Sequence, residues 1–392
     1  MASSIPRRFC KPEMLRKIGT RYLVEFLTPY ASYLSGRNLD LPVINSHDDY
    51  KIDYDLLSDI LLDPNSETPS ELSEALFYVN ELSSNDAFDI LQEAIKGTEL
   101  DAKISSRASA CDLAIQIWMT NRELIERIHA EQYITNIRSF RYFKTEKDPV
   151  PEFTTPSRQT IHAIEDDLND WFNSKRRGRS AKISMLPKGT YVWFLVRHGE
   201  PFTRESVIED GKSAPLFFQP EKTDVVIYNT FLGEVRIHAK SKGAIDKYRE
   251  VFGLHLFDDK EFFTDESKFT LEPLITDREQ SLLCGDVPEI LDIKLVEISI
   301  FRGGAHGMTE VRKADDLFAA IQDGGYDFIP SRNSITKASF KVLFKGAKSP
   351  RTISINSGNR AQFKRDDDAE HLEKWLGLRG FIRARVTEVV GA

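Results

Sequence analysis

The chain has 392 residues, of which 41% are hydrophobic and 29% charged, and its formal net charge is −8. That length accommodates two or three domains with a substantial buried core, and the composition is ordinary for a globular protein. No run approaches the roughly 18 apolar residues of a membrane span, so no membrane partner is expected. The opening "MASSIPRRFCKPEML" lacks the apolar centre of a secretory signal. Cys10, Cys111 and Cys284 are odd in number and far apart, which predicts neither a disulfide framework nor a zinc cluster. A reducing, cytoplasmic setting is the expectation.

The charge is unevenly spread. From 331 to 392 there are 13 Lys and Arg against 6 Asp and Glu. A basic end on an acidic body suits a polyanionic partner or an acidic protein neighbour, and equally a solvated basic face.

In chain order, the first part is helical in pattern. "SELSEALFYVNELS" and "NDAFDILQEAIKG" carry apolar residues at helical spacing behind a capping Ser or Asn, and Gly97 ends the second. "SRASACDLAIQIWMTNRELIERIHAEQYI" continues that pattern for about seven turns, with Trp118, Leu124, Ile125 and Ile128 as a core stripe. The Pro-rich "TEKDPVPEFTTPS" (145–157) marks a boundary or exposed loop. A short helix over "RQTIHAIEDDLNDWFN" then leads to "SKRRGRSAK", whose Lys175, Arg176, Arg177 and Arg179 form a candidate phosphate-binding cluster or a solvated linker.

From Gly189 the pattern changes to short β-branched and aromatic runs: "TYVWFLVRH", "SAPLFFQP", "TDVVIYNT" and "GEVRIHAKS". The last two are joined by "FLG", a hairpin loop in which Gly233 meets a need for positive φ. "KGAIDKYREVFG" is expected to be a helix ending at Gly253. "EILDIKLVEISIFRGG" follows as a long strand or strand pair, and "KADDLFAAIQDGG" as a helix. "ASFKVLFKGAKSPRTISINSG" alternates as a hairpin, with Lys341 and Lys345 opposite its apolar side and Arg360 and Arg365 beyond it. "DDDAEHLEKWLGLRGF" follows as a helix with acidic residues at its positive end. The fold class is therefore α+β: an N-terminal helical region, then a mixed or antiparallel sheet region with short helices. Its segments are 1–150 helical, 151–188 helix and basic linker, 189–330 α+β, and 331–392 basic hairpin plus helix.

Two motifs bear on chemistry. In "TYVWFLVRHGEPFTRES" an apolar strand delivers Arg197-His198-Gly199-Glu200, which resembles the opening motif of the histidine phosphatases and phosphoglycerate mutases. The resemblance implies that His198 takes a phosphoryl group within a cationic cup that includes Arg197. "VEISIFRGGAHGM" offers His306 as the second histidine. The motif here lies nearly 190 residues into the chain, and the family's Arg-bearing helix start has no counterpart. Against it stands a core strand leaving a charged turn, with Arg197, Glu200, Arg204 and Glu205 pairing locally, or a ligand contact by Arg197 and Arg204.

The second motif is "QPEKTDVVIYNTFLGEVRIHAKSKGAIDKYREVFG": strand, tight turn, strand, helix. It resembles the core of restriction-endonuclease-like folds, which implies Mg²⁺ held by Asp224 and by the acid of a Glu-x-Lys, with Lys240 and Tyr248 trailing. Glu234, earlier in "GEVR", with Arg236 only imitates a Glu-x-Arg. His238 stands where that core has its second acid, so the site is incomplete or rearranged. Outside this alternative no cofactor or metal is expected; His238, His255 and His371 lack ligand spacing. The texture from Glu221 to Phe263 is also similar to bacterial proteins encoded beside helicases or ATPases of phage-defence systems. Together these features lead to the expectation of a binding protein: a nucleic-acid-associated or adaptor subunit of a multi-protein machine, with DNA or RNA and protein partners. The nuclease-like and phosphatase-like enzymes are its alternatives.

Overall fold

A computed structural model describes residues 9–43, 51–104, 108–209, 211–324, 327, 329–330, 334–363 and 368–383. The chain divides into two compact units, 1–133 and 134–392. Among the described residues no helix is long and apolar enough to cross a membrane.

The first unit is helical: α1 (Pro12–Leu15), α2 (Thr20–Leu27), α3 (Ala31–Gly36), α4 (Tyr54–Leu62), α5 (Ser70–Leu82), α6 (Asn85–Ile95), α7 (Glu99–Lys103), α8 (Ala110–Thr120) and α9 (Arg122–Asn136). Its core gathers Leu72, Leu76 and Val79 of α5 with Leu113, Ile117, Ile125 and Ile128. The single long helix expected over 106–134 is instead two, α8 and α9, among the described residues. Asn121 takes an extended conformation (φ −151°, ψ 80°), and its side chain caps α9 by accepting from the Leu124 N–H at 3.0 Å. An Asn satisfies the orphan donors of a new helix better than it continues an old one.

On α9, His129 sits edge-on to Phe77 and Tyr78, with ring centroids 5.2 Å away in each case. Burial pushes its imidazole pKa below 6.5, against a small opposing pull from Glu81. The unfolded chain therefore binds a proton before the folded one does, and stability falls as pH drops through about 6.5. The helical unit should show a lower urea midpoint at pH 5.5 than at 7.5, followed by circular dichroism. His129→Gln should flatten that difference; an unchanged slope in the variant would remove His129 as its source.

The second unit is built on a ten-stranded sheet. Its elements in chain order are β1 (Ser139–Lys144), α10 (Arg158–Ser174), β2 (Lys182–Lys188), β3 (Tyr191–Gly199), β4 (Thr203–Glu209), β5 (Lys212–Phe218), β6 (Glu221–Asn229), β7 (Glu234–His238), α11 (Lys242–Phe257), α12 (Pro273–Thr276), β8 (Ile290–Gly303), β9 (Met308–Lys313), α13 (Leu317–Gly324), β10 (Ile335–Phe344), β11 (Arg351–Asn356), β12 (Arg360–Gln362) and α14 (Asp368–Leu378). The large sheet runs β2-β3-β6-β7-β1-β12-β11-β10-β8-β9, and β4-β5 form a separate two-stranded arm. Every pairing is antiparallel, and the fold is α+β.

The boundary between units falls before β1, not at 150. Phe140 and Tyr142 alternate with Ser139 and Arg141, and β1 pairs with β7 on one side and β12 on the other. The segments divided at 188 and 330 likewise share this one sheet. Gly253 corrects another expectation: α11 runs through it to Phe257, and Asp258 in the left-handed region ends the helix. A Cβ at Gly253 would lie 2.6 Å from the Asp259 carbonyl, so this glycine serves close chain approach rather than termination.

The two halves of the sheet bury opposite faces. In the β2-β3-β6-β7 half, Phe194, Val196, Val226, Val235 and Ile237 pack under α10 and α11. Directly opposed residues share a face and successive residues alternate. Carried across by register, that face continues into β12, β11, β10 and β8 as polar residues. There the apolar side is the other one: Phe340, Ile353 and Ile355 are buried, and Phe340 meets Trp375 of α14 at 5.6 Å and Phe381 at 5.7 Å.

Candidate functional site

Residues from three separate sequence motifs meet at the end of β3 and β6. The register sets Val196 opposite Asp224, so His198 and Asp224 lie on the face under α10 and α11. His198 Nε2 is 3.1 Å from Asp224 Oδ2, and its Nδ1 is 2.9 Å from the Gly199 carbonyl. The Tyr248 hydroxyl of α11 donates to the same Oδ2 at 3.0 Å. The Phe172 ring of α10 stacks on the imidazole at 4.1 Å. His198 and Asp224 are each 1% exposed. Burial, then the charge of Asp224, pushes the Tyr248 phenol well above 10, so it stays a donor. Arg177 closes the edge: its guanidinium lies 5.9 Å from the Phe172 ring and 3.6 Å from Glu200.

This geometry separates the phosphatase residues. Arg197 follows Val196 on the opposite face of the strand; it is exposed and lies 3.6 Å from Glu221. His306 lies at the exposed tip of the β8-β9 hairpin, and β8 is seven strands from β3, roughly 34 Å at 4.8 Å per strand. A phosphoryl acceptor needs an open ring nitrogen, whereas both nitrogens of His198 face oxygen acceptors in a closed core. Arg204, the other proposed ligand contact, is on the arm.

The nuclease residues separate too. Asp224 and Glu234 stand at opposite ends of the β6-β7 hairpin, since Glu234 pairs with Asn229. Five residues of strand are about 16 Å, too far for one ion. Lys240 is exposed beyond β7. Glu234 is engaged elsewhere: Lys268 Nζ lies 2.7 Å from its Oε1, with both side chains buried, and 4.0 Å from the Tyr142 ring. Arg236, two residues along β7, is held between Glu373 at 3.5 Å and the Tyr191 ring at 4.7 Å. Burial opposes its charge, but Glu373, the two tyrosines and Glu234 outweigh that and raise its pKa. His238 is likewise occupied, with Nδ1–H donating to the Ser139 carbonyl at 2.8 Å.

The basic cluster after α10 divides. Lys175 and Arg176 are exposed, Arg176 with φ +60°. That turn sends Arg177 inward, and Arg179 is ion-paired to Asp170. Two of the four cations are therefore engaged by the unit's own carboxylates.

The C-terminal cations lie on the open polar face. One row runs in register through Glu297, Ser339, Ser354, Gln362 and Ser139. The next runs through Ser299, Lys337, Asn356, Arg360 and Arg141. A concavity of about 1060 Å³ occupies this region, lined by the cations Arg138, Lys313, Lys337, Lys341 and Arg351 and by the carboxylates Glu297 and Asp315. Hydrogen bonds from Lys313 and then Lys337 hold the Glu297 carboxyl below its usual pKa, at 2.7 and 2.8 Å. Lys341 lies 3.4 Å from Asp315. Lys345 leaves the face in the turn after β10, its N–H bonded to the Glu289 carbonyl. Arg365 lies outside the described residues.

Lys341 was legible from strand alternation and Arg360 from the basic composition beyond the hairpin. Arg138, Lys313 and Arg351 were not, because only the pairing of β1, β9 and β11 brings them to the same region. The two basic groups are not joined: β3, beside the first, and β10, within the second, are six strands apart. No protein-family model matches this chain, and no curated protein is similar enough to it in sequence to be counted a relative.

Proposed function

We propose that this protein works by binding, and that the open polar face of its sheet receives the phosphate backbone of a nucleic acid, within a multi-protein machine. The observation that supports this is the concavity, whose lining carries five cations to two carboxylates. Lys337 and Lys341 stand on the polar side of β10, while Arg351, opposite Val342 in register, comes from the other side of β11. The two rings at its margin, Phe344 and Phe363, are 3% and 4% exposed, so bases find no stacking platform there. Contact is therefore to phosphates, and recognition is largely independent of sequence. The buried His198–Asp224–Tyr248 cluster, in the other half of the sheet, ties α11 to β3 and β6 and serves the fold rather than chemistry.

Fluorescence anisotropy with a labelled 20-nucleotide strand and its duplex tests the proposal. Affinity should fall with salt, with a log–log slope of roughly −0.7 to −0.9 per phosphate neutralised. Replacing both Lys341 and Arg351 with alanine should weaken binding by about tenfold at low salt and reduce the slope by about 2. Absence of binding at about 50 mM salt, or an affinity unmoved by the double substitution, would sink it.

A further inference from the structure

The β4-β5 arm stands outside the large sheet, and its two faces differ. Register pairs Arg204 with Phe217, Ser206 with Pro215 and Ile208 with Ser213, so these six share one face, and alternation adds Phe202. Every one of them is exposed: Phe202 by 71%, Ile208 by 77% and Phe217 by 64%. On the other face Thr203, Val207, Ala214 and Phe218 are partly covered, and Glu205 and Leu216 are exposed, Leu216 by 46%. A lone two-stranded hairpin is marginal in water, and here its three most exposed apolar side chains, Phe202, Ile208 and Phe217, are on the uncovered side.

We infer that this face is a homodimer interface, in which the arms of two copies of this chain pack face to face about a two-fold axis. The three large side chains present on the order of 400 Å² of apolar surface, enough to mark an interaction site. With the flanking residues, two such faces would bury roughly 1,200 Å² in total, the lower end for specific complexes. The charge pattern selects the occupant and its orientation. Arg204, at the base, is the one charged residue among the seven, which suits an apolar partner and not a phosphate backbone. Antiparallel apposition sets the two copies of Arg204 at opposite ends of the interface, where a parallel one would bring like charges together. The same face of a second chain supplies that partner, self-complementary as a two-fold interface requires. This inference does not depend on the polyanion face.

The test uses the full chain in sedimentation velocity from about 1 to 100 µM, where an interface of this size dissociates. The expected result is a reversible dimer. Phe217→Lys and Ile208→Lys should each raise its dissociation constant by at least about tenfold, with unchanged circular dichroism because the arm lies outside the main core. Ser206→Cys, near the middle of the face, should form an inter-chain disulfide under mild oxidation that the unsubstituted chain does not form. A monomer throughout, a dimer that neither lysine weakens, or a dimer in which the Ser206→Cys variant fails to cross-link would each overturn the inference. So would a monomeric chain whose nucleic-acid affinity is lost with Phe217→Lys, which would assign the face to that ligand.

Discussion

Replacing Asp224 with alanine should destabilise the sheet unit by about 3–5 kcal/mol, the range for removing one partner of a buried charged network. Asp224 Oδ2 receives both His198 and Tyr248, and neither has water to turn to. The variant leaves a buried phenol donor and an imidazole without their acceptor, besides a cavity between β6 and α11. Asp224→Asn keeps an acceptor for the phenol and should lose less. Urea unfolding read by hydrogen exchange on β3 and β6 amides would measure the loss in this unit alone. A metal-ligating Asp224 would behave differently, since the variant would remain as stable and Mg²⁺ would cease to raise the midpoint. An Asp224→Ala protein within 1 kcal/mol of the parent would refute the structural role.

The sequence carried the local elements well because their causes are local. Gly233, expected to need positive φ in its hairpin loop, has φ +60°, and a Cβ there would come within 2.8 Å of the Thr145 methyl. Gly97 and Gly380 sit past their helices with φ +74° and +73°. The alternation in "ASFKVLFKG" correctly set Phe340 and Val342 inside and Lys341 outside. Pairing was another matter. β1 meets β12 across some 220 residues, where Arg360 Nε lies 3.3 Å from Ser139 Oγ, and nothing within "SFRYFK" names that partner. A short strand among helices is thus absorbed into the helical region when only its neighbours in sequence are weighed.

The same limit governed the site. His198, Asp224, Tyr248 and Arg177 each stood out, but in three unrelated motifs, and a motif does not state which face of a strand its residues take. One residue of offset decides everything: it put Arg197 in solvent and His198 in the core. Burial then converts a catalytic constellation into a packing one. What remained was a concavity whose cations, from β9, β10, β11 and the residue before β1, are separated in sequence and brought together only by strand pairing, while Ser339 and Ser354 on the polar side are 6% and 7% exposed.

The pair Lys268–Glu234 provides the second large effect and discriminates between the two roles proposed for Glu234. Lys268→Ala strands a carboxylate that is 1% exposed, and it should cost about 3–5 kcal/mol. Lys268 gave no signal in the sequence; it lies in an irregular segment and reaches Glu234 across the Tyr142 ring. If the pair only neutralises itself, Glu234→Leu combined with Lys268→Met should regain most of the loss, because well-packed apolar side chains match a buried ion pair once both desolvation penalties are gone. If Glu234 instead holds a metal, the double substitution abolishes stabilisation by Mg²⁺ that the parent must then show. The expected result is recovery to within about 1 kcal/mol of the parent and a midpoint insensitive to Mg²⁺ in both proteins. A double variant as unstable as Lys268→Ala would mean that the pair specifies the packing of α14 through Arg236 and Glu373, 3.5 Å apart beside it, and not merely its own neutrality.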